Sequence, residues 1–554
     1  MKNRNLVRSL GLTKWSLASF VIYLLIQTLI LIPPMLMRQI IDVNLPNNET
    51  GRLVINILLF AGIPFLYLIG QSIYNYYAIC FARNKGQEIS MRILKNLLNQ
   101  KMSYFDEQNS MELLSYSSKE AINYLYFHMM ERPQYYVNIL FALIIEILLF
   151  TYSPWVALIQ LLFIPLAILP SSAISKKLQT SINSVLEDNA KLNQLKSDIL
   201  RGILTVKQLR IEDNRLKKVD EINQNIVKQW GVVAALDQTS ASWTSTFLSK
   251  LFTALSFGLT AFLIMYKVKP EISIGALVSI MAYAALLYSS LSTIFRNHIE
   301  TGKNEAEYEK LFSYYTMEGE SEENIDKKPF EFKDKIELRD LSFRYSKDKD
   351  YTWKNLNITI ERGKWTGLMG ASGIGKSTLL NVLLKFYDIE SGNISVDGID
   401  YKQIDSFSIR DKITKVSQDL FFFPGSLRDN LLLANEQARD AEMLAVLDKV
   451  CLSDYISKLP NGLDTEIGEA GKLMSGGEKQ RLSLAQALLR GNKILFLDEI
   501  SANLDKDTES ILKKRLRELV VKEGYTILSI SHNDEFLSSA DRIYLIEKDG
   551  AKKL

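Results

Sequence analysis

The run GASGIGKST, Gly370 to Thr378, sets Gly370, Gly373 and Gly375 around Ser372 and follows them with Lys376, Ser377 and Thr378. This is the pattern G-x-x-x-x-G-K-[ST], and its chemistry is the grip of a phosphate chain. Glycines let backbone N–H groups close around phosphate oxygens, a following helix offers its positive end, and Lys376 neutralises charge on the outer phosphates. Ser377 is placed to hold a magnesium ion. Further on, four apolar residues, Ile494 to Leu497, end in Asp498 and Glu499. Asp498 is placed to support magnesium through water, and Glu499, one residue later, to polarise an attacking water as general base. ATP and Mg2+ are the implied ligands. Each feature also has a plainer reading: a chance glycine-rich turn for the first, a strand ending in solvated acids for the second.

These groups need a scaffold. Trp365, Gly367, Leu368 and Met369 read as a strand entering the glycine loop, and LLNVLLKF after it as a helix, which is the context the motif requires. Short strands alternate with helices through this half, the signature of an α/β domain with a parallel sheet.

The residues before about 300 are of another kind, with long apolar runs that read as membrane spans at about 15–37, 53–82, 134–151, 155–175, 246–266 and 274–295. The first run, Trp15 to Met37, follows Lys2, Arg4, Arg8 and Lys14 as a signal peptide would. At about 1.5 Å per residue it spans roughly 34 Å, too long for one, and no small-residue cleavage pattern precedes Arg38. Lys and Arg crowd the amino terminus and the segments Arg83 to Arg132 and Lys176 to Asp237, so both termini are expected in the cytoplasm. Those two segments have helical periodicity and read as extensions of the spans. The run EGESEENIDKK, Glu318 to Lys328, reads as a nearly structureless linker. The expected organisation is a membrane domain over 1–316, a linker over 317–336 and an ATPase domain over 337–554. A net charge of +3, from 66 basic and 63 acidic residues, gives no concentrated basic face for nucleic acid. Cys80 and Cys451 match no metal spacing and read as reduced thiols.

With MSGGEKQR, Met474 to Arg481, standing just before the Asp498 and Glu499 strand, the chain resembles the ABC transporter family. The family's usual LSGGQ differs at Met474 and Glu478, while Ser475, Gly476 and Gly477, the phosphate-facing group, are kept. In order, Tyr345 looks like the adenine-stacking aromatic, Gln418 in VSQDLFFFPGSLRDN like the residue that reaches magnesium and water, Asp505 in SANLD like the family's acidic loop residue, and His532 in ILSISH like the catalytic-site histidine. Taken singly, Tyr345 reads equally as a core aromatic, Gln418 as a loop polar group and His532 as a strand-end histidine. The resemblance implies a head-to-tail pair of ATPase domains in which Ser475 and Gly477 of one subunit touch the terminal phosphate held by Lys376 of the other. A homodimer is the simplest such pair and a heterodimer stays open.

Six spans ahead of the ATPase resemble the exporter branch, a half-transporter with a helical membrane domain and a P-loop α/β domain bearing a helical subdomain. SYFDEQNSMELLS, Ser103 to Ser115, looks like its first coupling helix without the usual glycine, with Asn109, Ser110 and Met111 in that stretch. DILRGILTVKQLRIED, Asp198 to Asp213, looks like its second loop, and GEAG, Gly468 to Gly471, like an exporter contact loop with Ala470 in place of a common arginine. No peptidase-like segment precedes the first span, and the sequence runs about twenty residues past His532; leader processing is not expected, and a changed tail contact is.

The implied activity is ATP-driven export of a peptide, hydrophobic small molecule or lipid across the cytoplasmic membrane by alternating access. Uptake on the same architecture, or a gating subunit, are the alternatives. Glu146 sits in mid-span, where a carboxylate costs about 2.5–3.5 kcal/mol on insertion scales. It reads either as the counter-charge for a cationic substrate or as a protonated or interhelically bonded structural residue, the second being favoured. Met35, Met37, Met281, Tyr283 and Tyr288 are candidates for an apolar pocket or for plain helix packing.

Overall fold

The computed structural model describes residues 12–108, 110–266, 272–418, 420–468, 474–501 and 504–554. The basic residues Lys2, Arg4 and Arg8, the span connection at Lys267 to Glu271, Asn109 and most of the GEAG loop lie outside them. The chain forms two compact units, one of residues up to Asn96 with Met111–Met317, the other of Leu97–Ser110 with Glu318–Leu554.

In the first unit, long helices follow from unbroken apolar periodicity. They are α1 (Leu12–Leu29), α2 (Thr50–Leu98), α4 (Arg132–Tyr152), α5 (Pro154–Arg201), α6 (Glu212–Ser242), α7 (Ser249–Met265) and α8 (Ile274–Tyr315). With 49 residues, α2 reaches about 74 Å at 1.5 Å per residue, more than twice a hydrocarbon core. The polar segments after the second and fourth apolar runs are thus continuous with them. Among the described residues, four helical stretches are long and apolar enough to cross a membrane: Thr13–Asn44, Thr50–Leu98, Lys119–Tyr152 and Ile274–Ile294. Thr246–Phe262 is apolar but shorter, and side chains around 166–173 in α5 lie outside the description.

The first apolar run is not one straight helix. It breaks at Ile30 and Leu31, ahead of Pro33 and Pro34, neither of which can donate to the helix ladder. Beside the break, on α8, the Tyr283 hydroxyl donates to the Leu31 carbonyl at 2.8 Å and Ser279 Oγ to the Pro34 carbonyl at 2.6 Å. Around it lies a core of Phe141, Ile145, Leu149, Val156, Phe252 and Leu287, with Tyr283 and Tyr288 fully buried. Those two tyrosines pack helices within one protomer.

In the second unit, α3 (Met102–Glu107) continues the chain from the end of α2, and two sheets carry the ATPase half. An antiparallel sheet of order β2-β1-β4-β5 is built from β1 (Lys335–Phe343), β2 (Trp353–Glu361), β4 (Ser391–Val396) and β5 (Ile399–Asp400). The other has the order β10-β9-β3-β8-β7-β6, from β3 (Trp365–Met369), β6 (Ile413–Val416), β7 (Ile494–Asp498), β8 (Thr526–Ile530), β9 (Arg542–Glu547) and β10 (Gly550–Lys553). It is parallel except at β9–β10, and β3, β7 and β8 are buried almost throughout, as expected of strands covered on both faces.

Residues 318–328 are ordered, contrary to the structureless linker expected from their charge. Glu320 is buried and paired with Arg410 at 2.5 Å, its N–H donates to the Asn99 carbonyl at 2.8 Å, and Asn324 Nδ2 reaches Ser406 Oγ at 2.8 Å. Charge density alone signals solvation; here the acids found partners that lie far away in sequence. Cys80 and Cys451 are both free thiols.

Candidate functional site

The glycine loop leaves the buried strand β3 and ends at α9 (Lys376–Leu383). Gly370, Gly373 and Gly375 all hold positive φ, at 151°, 76° and 93°. A Cβ on Gly370 would stand 2.7 Å from the Ile546 carbonyl oxygen, and one on Gly375 would meet Thr352 and the Trp353 ring. The loop is therefore a bare-backbone cradle closed from below by β2 and β9. Trp353 Nε1 donates to the Gly375 carbonyl at 3.3 Å and fixes its floor.

Lys376 folds back over the loop, donating to the carbonyls of Gly370 at 2.8 Å and Ala371 at 2.9 Å, with His532 Nε2 at 3.3 Å. Burial pulls its pKa below the ordinary lysine value, while the charges of Glu499 and Asp498 push the other way. Ser377 Oγ donates to Asp498 Oδ1 at 2.9 Å. Asp498 is 2 % exposed, and burial raises its carboxyl above the usual range against the pull of Lys415 and Ser377.

Glu499 follows β7 in a left-handed conformation, φ 53°, which a non-glycine residue keeps only when its surroundings impose it. Here its N–H donates to the Ile530 carbonyl at 3.1 Å and its carbonyl accepts from Gln480 Nε2 at 3.2 Å. The turn throws the side chain off the sheet edge, where Gln418 Nε2 donates to Oε2 at 2.8 Å and His532 Nε2 lies 3.0 Å from Oε1. The carboxylate is thus held at the cleft by an amide on one oxygen and an imidazole on the other.

That cleft, about 910 Å3, is lined by Tyr345, Ser372, Gly373, Gly375, Lys376, Ser377, Thr378, Gln418, Glu499 and His532, together with Tyr351, Thr352, Ile374 and Lys548. The Tyr345 hydroxyl pairs with Thr378 Oγ1 at 2.7 Å, so its ring stands at the cleft edge. Ser475, Gly476 and Gly477 are not among its lining residues. Ser475 instead caps α10 (Gly476–Leu489): Glu478 N–H donates to Ser475 Oγ at 3.3 Å and Ser475 N–H to Glu478 Oε2 at 2.7 Å. This reciprocal capping box is one that glutamine, usual at this position, would also form. Asp505 likewise caps α11 (Lys506–Glu523), accepting from Thr508 N–H at 2.9 Å.

Sequence reasoning missed Lys415, which stands 3.5 Å from Asp498 Oδ2 and 2.8 Å from Asn381 Oδ1. Its signal was a lysine alternating inward in the strand ITKV. Replacing Lys415 by Met leaves Asp498 buried with Ser377 alone, which is expected to cost about 1–3 kcal/mol at neutral pH. A carboxyl with a raised folded pKa loses stability as pH climbs from the unfolded to the folded value, and the substitution widens that interval. Thermal unfolding of wild type and variant should converge as pH falls below the unfolded carboxylate range.

Glu146 belongs to the other unit and is buried by the protomer's own helices, 8 % exposed with both carboxylate oxygens unpartnered.

Two family models match the chain, one described as "ABC transporter transmembrane region" over residues 16–291 and one as "ABC transporter" over 353–502. Two "Putative multidrug export ATP-binding/permease" proteins of Staphylococcus aureus, from strains NCTC 8325 / PS 47 and Mu50 / ATCC 700699, are each 31 % identical over 355 residues. That alignment covers 63 % of this chain and 59 % of theirs, so the chain matches little more than half the length of these relatives. A solved structure titled as a bacterial Atm1-family ABC exporter with ATP bound shares the fold, with a TM-score of 0.82 at 20 % identity over 97 % of this chain and 94 % of that one. With one family model on the helical half, another on the phosphate cradle and the residues of that cradle in place, the chain belongs to the ABC transporter family and has the fold of an exporter-type half-transporter.

Proposed function

We propose that this chain is a multi-pass membrane protein that hydrolyses ATP to drive export, working as one half of a pair in the cytoplasmic membrane with its termini and ATPase domain in the cytoplasm. The observation that carries the reading is the convergence of Lys376, Ser377, Gln418, Glu499 and His532 on one cleft, with Asp498 bonded directly behind it. The bare loop accommodates a triphosphate, Tyr345 offers a ring for adenine, and Lys376 is already aimed by the loop's own carbonyls. The Ser377 hydroxyl and the Asp498 carboxylate are the pair that would hold magnesium, whose chemistry is to neutralise phosphate oxygen charge. Water attacks the terminal phosphorus, its proton passes to Glu499, and the bond to the bridging oxygen breaks to leave ADP and phosphate. Gln418 and His532 hold the Glu499 carboxylate for that transfer.

Because Ser475, Gly476 and Gly477 do not line their own cleft, a second copy is the source of a phosphate-facing serine and glycine for it. ATP then binds the paired form better than the separate one and shifts the population until hydrolysis removes the preference. The homodimer is the simplest assembly. The test is ATP turnover by the purified chain in lipid, scanned over peptides, drugs and lipids, beside ATP-driven uptake into inside-out vesicles. Turnover with uptake of one compound class supports the reading; turnover without any vectorial movement sinks export; no turnover until a second subunit is added replaces the homodimer by a heterodimer.

The unit that holds the cleft also holds residues 97–110, the direct continuation of α2. Tyr387 OH donates to Asp106 Oδ2 at 2.6 Å, Lys101 pairs with Asp388 at 2.9 Å and Glu323 at 3.0 Å, and the Tyr387 ring lies 5.4 Å from that of Tyr345. The adenine-side aromatic is thus one ring away from a segment covalently joined to a membrane helix. Tyr387→Phe is expected to lower transport per ATP consumed several-fold, the loss of one charge-assisted hydrogen bond of about 1.5–3 kcal/mol. Parallel flux and ATPase assays on the same vesicles measure that ratio.

A further inference from the structure

We propose that Glu146, Gln160 and Tyr288 form a site within the helical unit for a monovalent cation, a proton or a sodium ion, which is taken up and released as the helices move. Its link to transport rests on the export reading above; the site itself does not.

Three helices bring the groups together. Glu146 lies on α4, Gln160 on α5 and Tyr288 on α8, at 8 %, 0 % and 0 % exposure. Both carboxylate oxygens, both ends of the Gln160 amide and the Tyr288 hydroxyl lack a hydrogen-bond partner. The Tyr288 hydroxyl lies at the margin of a hydrogen bond with the Gln160 amide and within electrostatic reach of the Glu146 carboxylate. On α7, which packs against α5 and α8, Ser256 and Thr260 stand one turn apart, buried and also unpartnered. Native interiors rarely leave one buried polar atom unsatisfied, and here five side chains on four packed helices are left so.

The chemistry of the set names the ligand. When ionised, Glu146 carries one negative charge, and among the described residues no charged side chain acts on it. The polar groups set beside it are the Tyr288 hydroxyl, neutral in its ordinary state, and the uncharged Gln160 amide, with Ser256 and Thr260 on the helix packed against theirs. One uncompensated charge calls for one positive charge. Carboxylate, amide and hydroxyl oxygens are hard ligands, suited to an alkali ion, and the same carboxylate binds a proton in its place. A bulky cationic organic substrate fits poorly, because the protomer's own helices already enclose Glu146. Intramembrane carboxylates are costly, and coupling-ion sites are among the uses that retain them.

The direct test labels the purified full-length chain in lipid vesicles with a hydrophobic carbodiimide, which reacts with a protonated carboxyl in an apolar setting, and reads Glu146 modification by mass spectrometry. Labelling that falls as pH rises from about 5.5 to about 9 and also falls on adding sodium at fixed pH, with choline as the control, supports the site with both ions competing. A fall with pH and indifference to sodium supports it with the proton alone. Labelling that is absent, or that responds to neither, overturns it. ATP turnover over the same conditions should shift by about threefold or more in wild type and lie flat in Glu146→Gln; identical responses in the two overturn the coupling. Tyr288→Phe, which keeps the volume, should displace the labelling profile if Glu146→Gln does not fold. Basal turnover that persists in Glu146→Gln but vanishes in Glu499→Gln separates failure of this site from failure of the ATPase reading.

Discussion

Glu499→Gln should lower ATP turnover by about 10²- to 10⁴-fold, the range expected for a positioned general base, while nucleotide binding stays within a factor of about three. The amide keeps the volume of the carboxylate and accepts from Gln418 as Glu499 Oε2 does, so the local frame at φ 53° persists. What disappears is the proton acceptor. Because Lys376, Ser377 and the glycine loop carry the phosphate grip, binding of a fluorescent ATP analogue measures a different set of residues from those the turnover assay measures. A variant that still turns over at a tenth of the wild-type rate would move the base elsewhere, His532 at 3.0 Å being the candidate that can take a proton. His532→Ala is the companion measurement; as a positioning residue it should cost less than Glu499→Gln, and rescue by Gln should be partial.

Much of this site is legible in sequence because its chemistry is local. The glycine loop works through consecutive backbone groups, so spacing alone marks it, and β7 announces Asp498 and Glu499 by four apolar residues in a row. Features that depend on distant partners are not legible in that way. Lys415 pairs with Asp498 across adjacent parallel strands, and nothing in ITKV names the acid it will meet. Glu320 sits in a run of five acids and yet is buried, because Arg410, ninety residues on, neutralises it. In the helical half, apolar length identified the long helices, but that Tyr283 and Ser279 would bond the Leu31 and Pro34 carbonyls beside the break depends on which distant helix packs there. The Glu146 cluster shows the same limit: one charged residue in a span is visible, whereas Gln160 and Tyr288 become its neighbours only when three helices close.

The glycines of the loop differ in what they are for, and that difference predicts a second large effect. Gly373, at φ 76°, has nothing within 4 Å of the place a Cβ would occupy, so Gly373→Ala meets only the backbone cost of a left-handed alanine, about 1–2 kcal/mol. Gly375, at φ 93°, would drive its Cβ into Thr352 and to within 3.0 Å of two Trp353 ring atoms. Trp353 is fully buried and its indole N–H is already bonded to the Gly375 carbonyl, so the floor cannot yield without opening the core beneath it. Overpacking of that kind adds about 1–3 kcal/mol to the backbone cost. Since Gly375 is also the residue that starts α9, the strain falls on the N–H groups that would meet the phosphates. Gly375→Ala should therefore weaken ATP binding by about a hundredfold or more, as 2.7 kcal/mol or so of misplacement implies, while Gly373→Ala weakens it by about tenfold. Titration with a fluorescent ATP analogue, beside thermal unfolding of each variant, reads both. Equal losses at the two positions would mean that backbone entropy of the loop, rather than the Trp353 floor, sets the cradle.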